Sequence, residues 1–102
     1  MIVVLATIEL NPGKRNEFLA EFHKIVAPVR AEAGCLEYFP ATDHATNLPN
    51  QPVARENTVV VVEKWESIAH LEAHLIAPHM MSYRPRVKEF VKSVSLQILS
   101  PA

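Results

Sequence analysis

Apolar side chains alternate along the first ten residues. Ile2, Val4, Ala6, Ile8 and Leu10 fall on one face, and Val3, Leu5, Thr7 and Glu9 on the other. A period of two with one wholly apolar face predicts a strand lying on a core. The mixed second face suits the border of a cavity or an interface. Asn11-Pro12-Gly13 predicts a helix start, with Asn11 as N-cap and Pro12 at the first helical position. The period then changes to three and four. Phe18, Leu19, Phe22, Ile25, Val26 and Val29 form one stripe, opposite Lys14, Arg15, Glu17, Glu21 and Lys24. This helix is expected to run to about Ala33, kinked or tightened near Pro28. Gly34 then supplies the positive φ with which a chain leaves a helix.

Leu36–Thr42 predicts a second strand carrying Tyr38 and Phe39. Asp43–Asn57 has the Asp, Asn and Pro content of a loop, long enough to be either disordered or a flap over the cavity of its own or a partner subunit. Thr58–Trp65 is the clearest strand, and Ser67 caps a short helix over Ile68–Leu75. Pro78 begins another helical stretch that Pro85 is expected to divide before Val91. Ser93–Leu99 closes the chain with Val94, Leu96 and Ile98 on a buried face.

The order β-α-β-β-α-β predicts an α+β, ferredoxin-like fold, a four-stranded antiparallel sheet with its helices on one face, as a single domain over residues 1–102. The helix stripes cover one sheet face. Val59, Val61, Trp65, Phe39, Leu5 and Leu99 are assigned to the other, which has no helix left to cover it. Such a surface marks a partner or a ligand, and a second copy packed sheet to sheet, a homodimer, is the economical occupant.

Composition narrows this further. Ten basic and eleven acidic residues lack the basic footprint of a nucleic-acid binder. No stretch approaches the roughly 20 apolar residues of a membrane span, and Ile2–Ala6 is too short for a secretory signal, so a cytoplasmic protein is expected. A single cysteine, Cys35, excludes an internal disulfide framework and reads as a small buried hydrophobe.

Candidate chemistry concentrates in Val59–His79. Glu63 and Trp65 share a strand face, assigned to the open side. A carboxylate beside Trp65 and Val61 needs a hydrogen-bond partner or a raised pKa. On the short helix, Ile68, Leu71 and Leu75 define the core direction, which places His74 on the flank, roughly 90° away, with His70 further toward solvent. The His70/His74 spacing of four lacks the zincin glutamate, so no metal is expected. His74 and Glu63 are therefore the acid/base candidates. Trp65, Tyr38 and Phe39 are candidates to flank a bound ring, and His79 either caps its helix or reaches the same pocket. His23 and His44 read as surface or loop residues.

The run Trp-Glu-Ser-x-x-His-Leu-x-x-His-Leu over Trp65–Leu75, preceded by Glu63 and followed by Pro78-His79, resembles the antibiotic biosynthesis monooxygenase (ABM) family. So does the helix ending in Gly34-Cys35-Leu36-x-Tyr38. The resemblance spans nearly the whole chain. It implies a dimeric α+β barrel with a hydrophobic cavity in each subunit. Members include cofactor-free oxygenases of quinols and anthrones, an isomerase of a phosphorylated signalling sugar, and haem-degrading proteins. Two departures stand out: the Asp43–Asn57 loop is longer than in similar members, and Thr7 occupies the first-strand position where the haem-degrading branch uses asparagine.

Three functions follow as expectations. The first is a cofactor-independent, quinol monooxygenase-like enzyme acting on a small aromatic substrate and dioxygen, with His74 or Glu63 as base and no cofactor. The second is an isomerase or tautomerase of a hydroxy-carbonyl compound, whose anionic substrate would draw on Arg84, Arg86, Lys88 or Lys92. The third is a non-catalytic ligand-binding dimer.

Overall fold

A computed structural model describes residues 1–102. The elements are β1 (Ile2–Leu10), α1 (Arg15–Arg30), β2 (Cys35–Ala41), β3 (Thr58–Trp65), α2 (Ile68–Leu75), α3 (Pro78–Val87) and β4 (Val91–Leu99). The sheet is antiparallel throughout, in the order β2-β3-β1-β4, which is the ferredoxin-like arrangement with the second helical segment split in two. No helix is long and apolar enough to cross a membrane.

The helix start differs from the sequence expectation. Asn11-Pro12-Gly13 is a turn, because Gly13 takes φ of 77°, outside helical geometry, and α1 begins at Arg15. Asn11 instead spans the chain: its Nδ2 donates to the carbonyl of Glu89, and its backbone N–H donates to that of Phe90. Pro28 lies inside α1, and Pro85 lies inside α3 without dividing it. Each proline removes one backbone bond. In α3 the buried stripe of Met80, Tyr83 and Val87 keeps the helix packed across that loss.

Register settles which face is which. Val4 pairs with Glu63, Ala6 with Val61 and Ile8 with Val59, and paired residues point the same way. The wholly apolar face of β1 therefore continues into Val59, Val61, Glu63 and Trp65, and this is the face the helices cover. Phe18, Phe22, Ile25 and Val29 of α1 bury against it. The assignment of Val59, Val61 and Trp65 to the open face is thus corrected. Of the six residues placed there, Leu5, Phe39 and Leu99 belong to it, together with Val3, Val60 and Val62. The sheet ends in two edge strands, β2 and β4, and does not close on itself. Val94, Leu96 and Ile98 point to the helix side, yet all three are exposed, because no helix reaches over β4.

Gly34 is required twice over. Its φ is 79°, and a Cβ there would overlap the ring of His70, which packs against the turn. A Gly34→Ala substitution is expected to cost about 2 kcal/mol, from left-handed backbone strain plus overpacking. Urea denaturation of the two chains checks this. Equal midpoints would show that the turn carries no such constraint.

Candidate functional site

The helix-covered sheet face and α3 line a half-open cavity of about 750 Å³, with exposed Val94 and Leu96 of β4 on its open side. Most of its lining is apolar, including Ala6, Val61 and Met80. The polar contributions come from Glu63, His74, Tyr38, Tyr83, Arg84 and Lys88. An apolar pocket with a few convergent polar groups is the usual form of a small-molecule site.

His74 comes from the last turn of α2. Ser67 caps this helix by accepting from the backbone N–H of His70. Leu71 and His74 face the core, whereas Ile68 is 47% exposed and Leu75 36%. His74 is therefore not on the flank; it is the inward residue of the helix, 2% exposed. Tertiary contacts hold it there. Its ring lies 4.7 Å from that of Trp65 and 5.5 Å from that of Tyr38, and its Nδ1 bonds Glu32 Oε2 at 2.8 Å. The same oxygen bonds His79 Nε2 at 2.7 Å. Glu32 thus bridges the two histidines and orients the buried ring. Burial pushes the His74 pKa below its usual value, opposed by the bond to Glu32.

Glu63 is 5% exposed and accepts a 2.9 Å bond from Trp65 Nε1 at its Oε1. Burial raises its pKa to about 7, although that bond lowers it, and the charge of Glu32 raises it further. Burial likewise pushes the Tyr38 and Tyr83 hydroxyls far above the ordinary phenol range, so both stay protonated as potential donors. Every buried polar side-chain atom has a hydrogen-bond partner. His74 Nε2, Glu63 Oε2 and the two tyrosine hydroxyls make no bond within the chain. They therefore keep accessible surface on the cavity that these residues line.

The sequence-predicted residues are distributed as follows. Glu63, His74 and Tyr38 meet at the cavity. Trp65 is fully buried behind them and does not line it; the indole holds Glu63 and packs on His74. Phe39 lies on the opposite sheet face, paired with Val62, so it cannot flank a ring in this cavity. His79 is tied to Glu32 and stands outside the lining. Thr7 also points to the opposite face, paired with Val60 and Ser95. No residue of the Asp43–Asn57 loop lines the cavity, so the loop is not a flap over the cavity of its own chain. Its neck is tied by Arg55 to Asp43 through two side-chain bonds of 2.8 and 2.9 Å.

Glu32 is the residue that sequence reasoning missed. It follows the end of α1, where the helix dipole disfavours an acid, so a carboxylate there calls for a partner elsewhere in the fold. The Glu32, His74 and His79 donors also lie within 4.8 Å of one another, a set that could hold a metal ion. The two short bonds already account for their convergence.

Fold and site together define a class: an open ferredoxin-like sheet whose helices roof an apolar cavity, with a carboxylate-oriented histidine and a second, indole-held carboxyl inside. The chain belongs to the antibiotic biosynthesis monooxygenase family, which matches residues 1–86. It is 44% identical over 103 aligned positions to "Probable quinol monooxygenase YgiN" of Escherichia coli strain K12, covering 99% of this chain and 98% of that one. In structure it is similar to PA3566 from Pseudomonas aeruginosa, with TM-score 0.82 and 27% identity over 99% of this chain and 93% of that one. It is also similar to Rv0793 from Mycobacterium tuberculosis, with TM-score 0.80 and 25% identity over 99% and 94% of the two chains.

Proposed function

We propose that the chain is a cofactor-independent monooxygenase of small electron-rich aromatics, of quinol or anthrone type. The observation that carries this reading is His74: its Nδ1 is held by Glu32, its Nε2 has no partner within the chain, and the residue lines a largely apolar cavity. With Glu32 accepting from Nδ1–H, Nε2 carries the lone pair and is the basic atom. It takes the proton of a phenolic or enolic hydroxyl, and the neighbouring carboxylate steadies the resulting imidazolium.

The substrate anion passes an electron to dioxygen, and the two radicals combine at a ring carbon to give a peroxide anion. The imidazolium returns its proton to that peroxide. For a CH₂ carbon, removal of the remaining C–H proton expels hydroxide. Proton and hydroxide leave together as water, and one oxygen atom stays behind as a carbonyl. The four electrons lost at carbon equal the four gained by dioxygen, so no further reductant is needed. In this scheme Glu63, whose pKa burial raises to about 7, takes the C–H proton. The apolar lining keeps water away from the anion.

Oxygen uptake with a reduced naphthoquinol, undiminished by chelators, is the expected result. Turnover that persists without oxygen would assign the same pair to isomerase chemistry instead. Absence of turnover with any quinol or anthrone would overturn the reading.

The uncovered sheet face supports a homodimer. Leu5, Phe39 and Val62 lie side by side on it, only half-buried by their own chain. Two such faces packed together would complete the α+β barrel that one open sheet does not form. Val62→Glu, which puts a charge at the centre of that face, is expected to convert a species of twice the chain mass into one of single mass in sedimentation equilibrium. A parent chain that already sediments as a monomer would refute this.

A further inference from the structure

The cationic residues at the end of α3 divide into two groups. Arg86 is engaged: its Nε bonds Glu21 at 3.1 Å, and its Nη1 bonds Ser82. Lys92 does not line the cavity. Arg84 and Lys88, one helical turn apart, both do. Lys14, Lys24, Arg55, Lys64 and Arg86 pair with carboxylates; of the cations that do not, only Arg84 and Lys88 line the cavity. The only acid in the cavity lining is Glu63, on the sheet side.

Arg84 is also positioned. Its Nη2 donates to the carbonyl of Leu75, at the end of α2, and its Nη1 lies 3.4 Å from Met81 Sδ. Leu75 and Met81 are themselves exposed residues of the lining, so the guanidinium stands at the mouth between α2 and α3. Its remaining N–H groups are free. Basic residues near a helix C-terminus relieve the helix dipole, but that role needs no cavity-facing placement, and Arg86 already fills it beside them.

We propose that the cavity selects aromatic substrates bearing an anionic group, a carboxylate or sulfonate, that Arg84 and Lys88 receive at its mouth. This rests on the reading of the cavity as the substrate site. The ring lies among the apolar side chains and the reacting hydroxyl meets His74, while the acid group stays at the half-wet rim, where its desolvation is small. A planar guanidinium matches a carboxylate through two parallel bonds, and Lys88 adds a second charge. The cavity volume leaves room for more than one ring, so a fused aromatic with an acidic substituent fits within it.

The test separates recognition from turnover. Anthraquinone-2-carboxylate and its neutral carboxamide cannot be oxygenated at the ring carbonyls, and Trp65 is the single tryptophan of the chain. Quenching of its fluorescence therefore reports binding alone. The acid is expected to bind about tenfold more tightly than the amide, the gain from two partly exposed charge contacts. This preference should shrink with added salt and vanish in the Arg84→Gln/Lys88→Gln double variant, which should bind the amide as the parent does. Equal affinities for acid and amide in the parent would overturn the inference and leave the oxygenase reading standing. A retained acid preference without oxygen uptake would do the reverse. If the double variant instead loses turnover of a neutral quinol while binding both probes unchanged, the two cations serve the reacting oxyanion and the inference fails.

Discussion

A His74→Gln chain is expected to take up oxygen with a reduced naphthoquinol roughly 10²–10⁴-fold more slowly than the parent, the usual worth of a positioned general base. On the proposed mechanism the loss should fall on kcat, because the base would act in the proton-transfer step while the apolar walls proposed to bind the ring are untouched. Glutamine is the informative replacement. Its amide can still donate to Glu32, so the bridge to His79 keeps a partner and the buried carboxylate is not orphaned. Burial holds His74 below its ordinary pKa, so its base form prevails at neutral pH. The acid limb of the parent's kcat/KM profile should therefore lie below the ordinary histidine value of about 6.5, and it should disappear in the variant. Val53→Ala, on the exposed loop away from both the cavity and the uncovered sheet face, serves as the control with unchanged chemistry. An unaltered rate in His74→Gln would remove His74 from the mechanism.

The second large effect concerns stability. Glu63 has its pKa raised to about 7 from the model-peptide value of 4.5. Below pH 4.5 both folded and unfolded chains hold its proton, and the group costs nothing. Between 4.5 and 7 the unfolded chain releases the proton while the folded chain keeps it, so stability falls as pH rises. Above 7 the full penalty, about 3 kcal/mol, is present. Glu63→Gln removes the titration but keeps an oxygen for Trp65 Nε1. Its unfolding free energy should match the parent's near pH 4 and exceed it by about 3 kcal/mol at pH 8, as read from urea curves. His74 works in the opposite direction: its lowered pKa withdraws stability as pH falls from 6.5 downward. Both chains carry that loss, so it cancels in the difference. A difference that does not change with pH would show that Glu63 is not held proton-bound by its surroundings. A more stable chain with slower turnover would be the pattern expected of a strained functional carboxyl.

Much of the architecture was legible in the chain because it rests on local periodicity. The alternation of Ile2–Leu10, the three-four stripe of Phe18–Val29 and the serine cap before Ile68 each depend on neighbours a few residues apart. Glu63 and Trp65 were legible as a same-face pair for the same reason. Their phase relative to the helices was not. Val59–Val62 is apolar on both faces, so β3 offers no contrast from which to choose, and only its pairing with β1 does so. The spacing alone puts His74 on the flank, because the apolar positions Ile68 and Leu75 pull the inferred core direction away from it. Burial of a histidine was decided by Glu32, far away in the chain, which satisfies its ring. Pro85 does not divide its helix, because packing of the buried side outweighs one missing backbone bond.

The sequence by itself determined the elements, their order and the ferredoxin-like family of folds, since these follow from side-chain period and from turn and cap chemistry. Only the tertiary structure decided that the Glu63 face lies under the helices, that Glu32 ties His74 to His79, and that Trp65 stands behind the cavity rather than in it. Those outcomes depend on strand register and on polar groups finding partners across the fold, and neither is encoded in the spacing of residues along the chain.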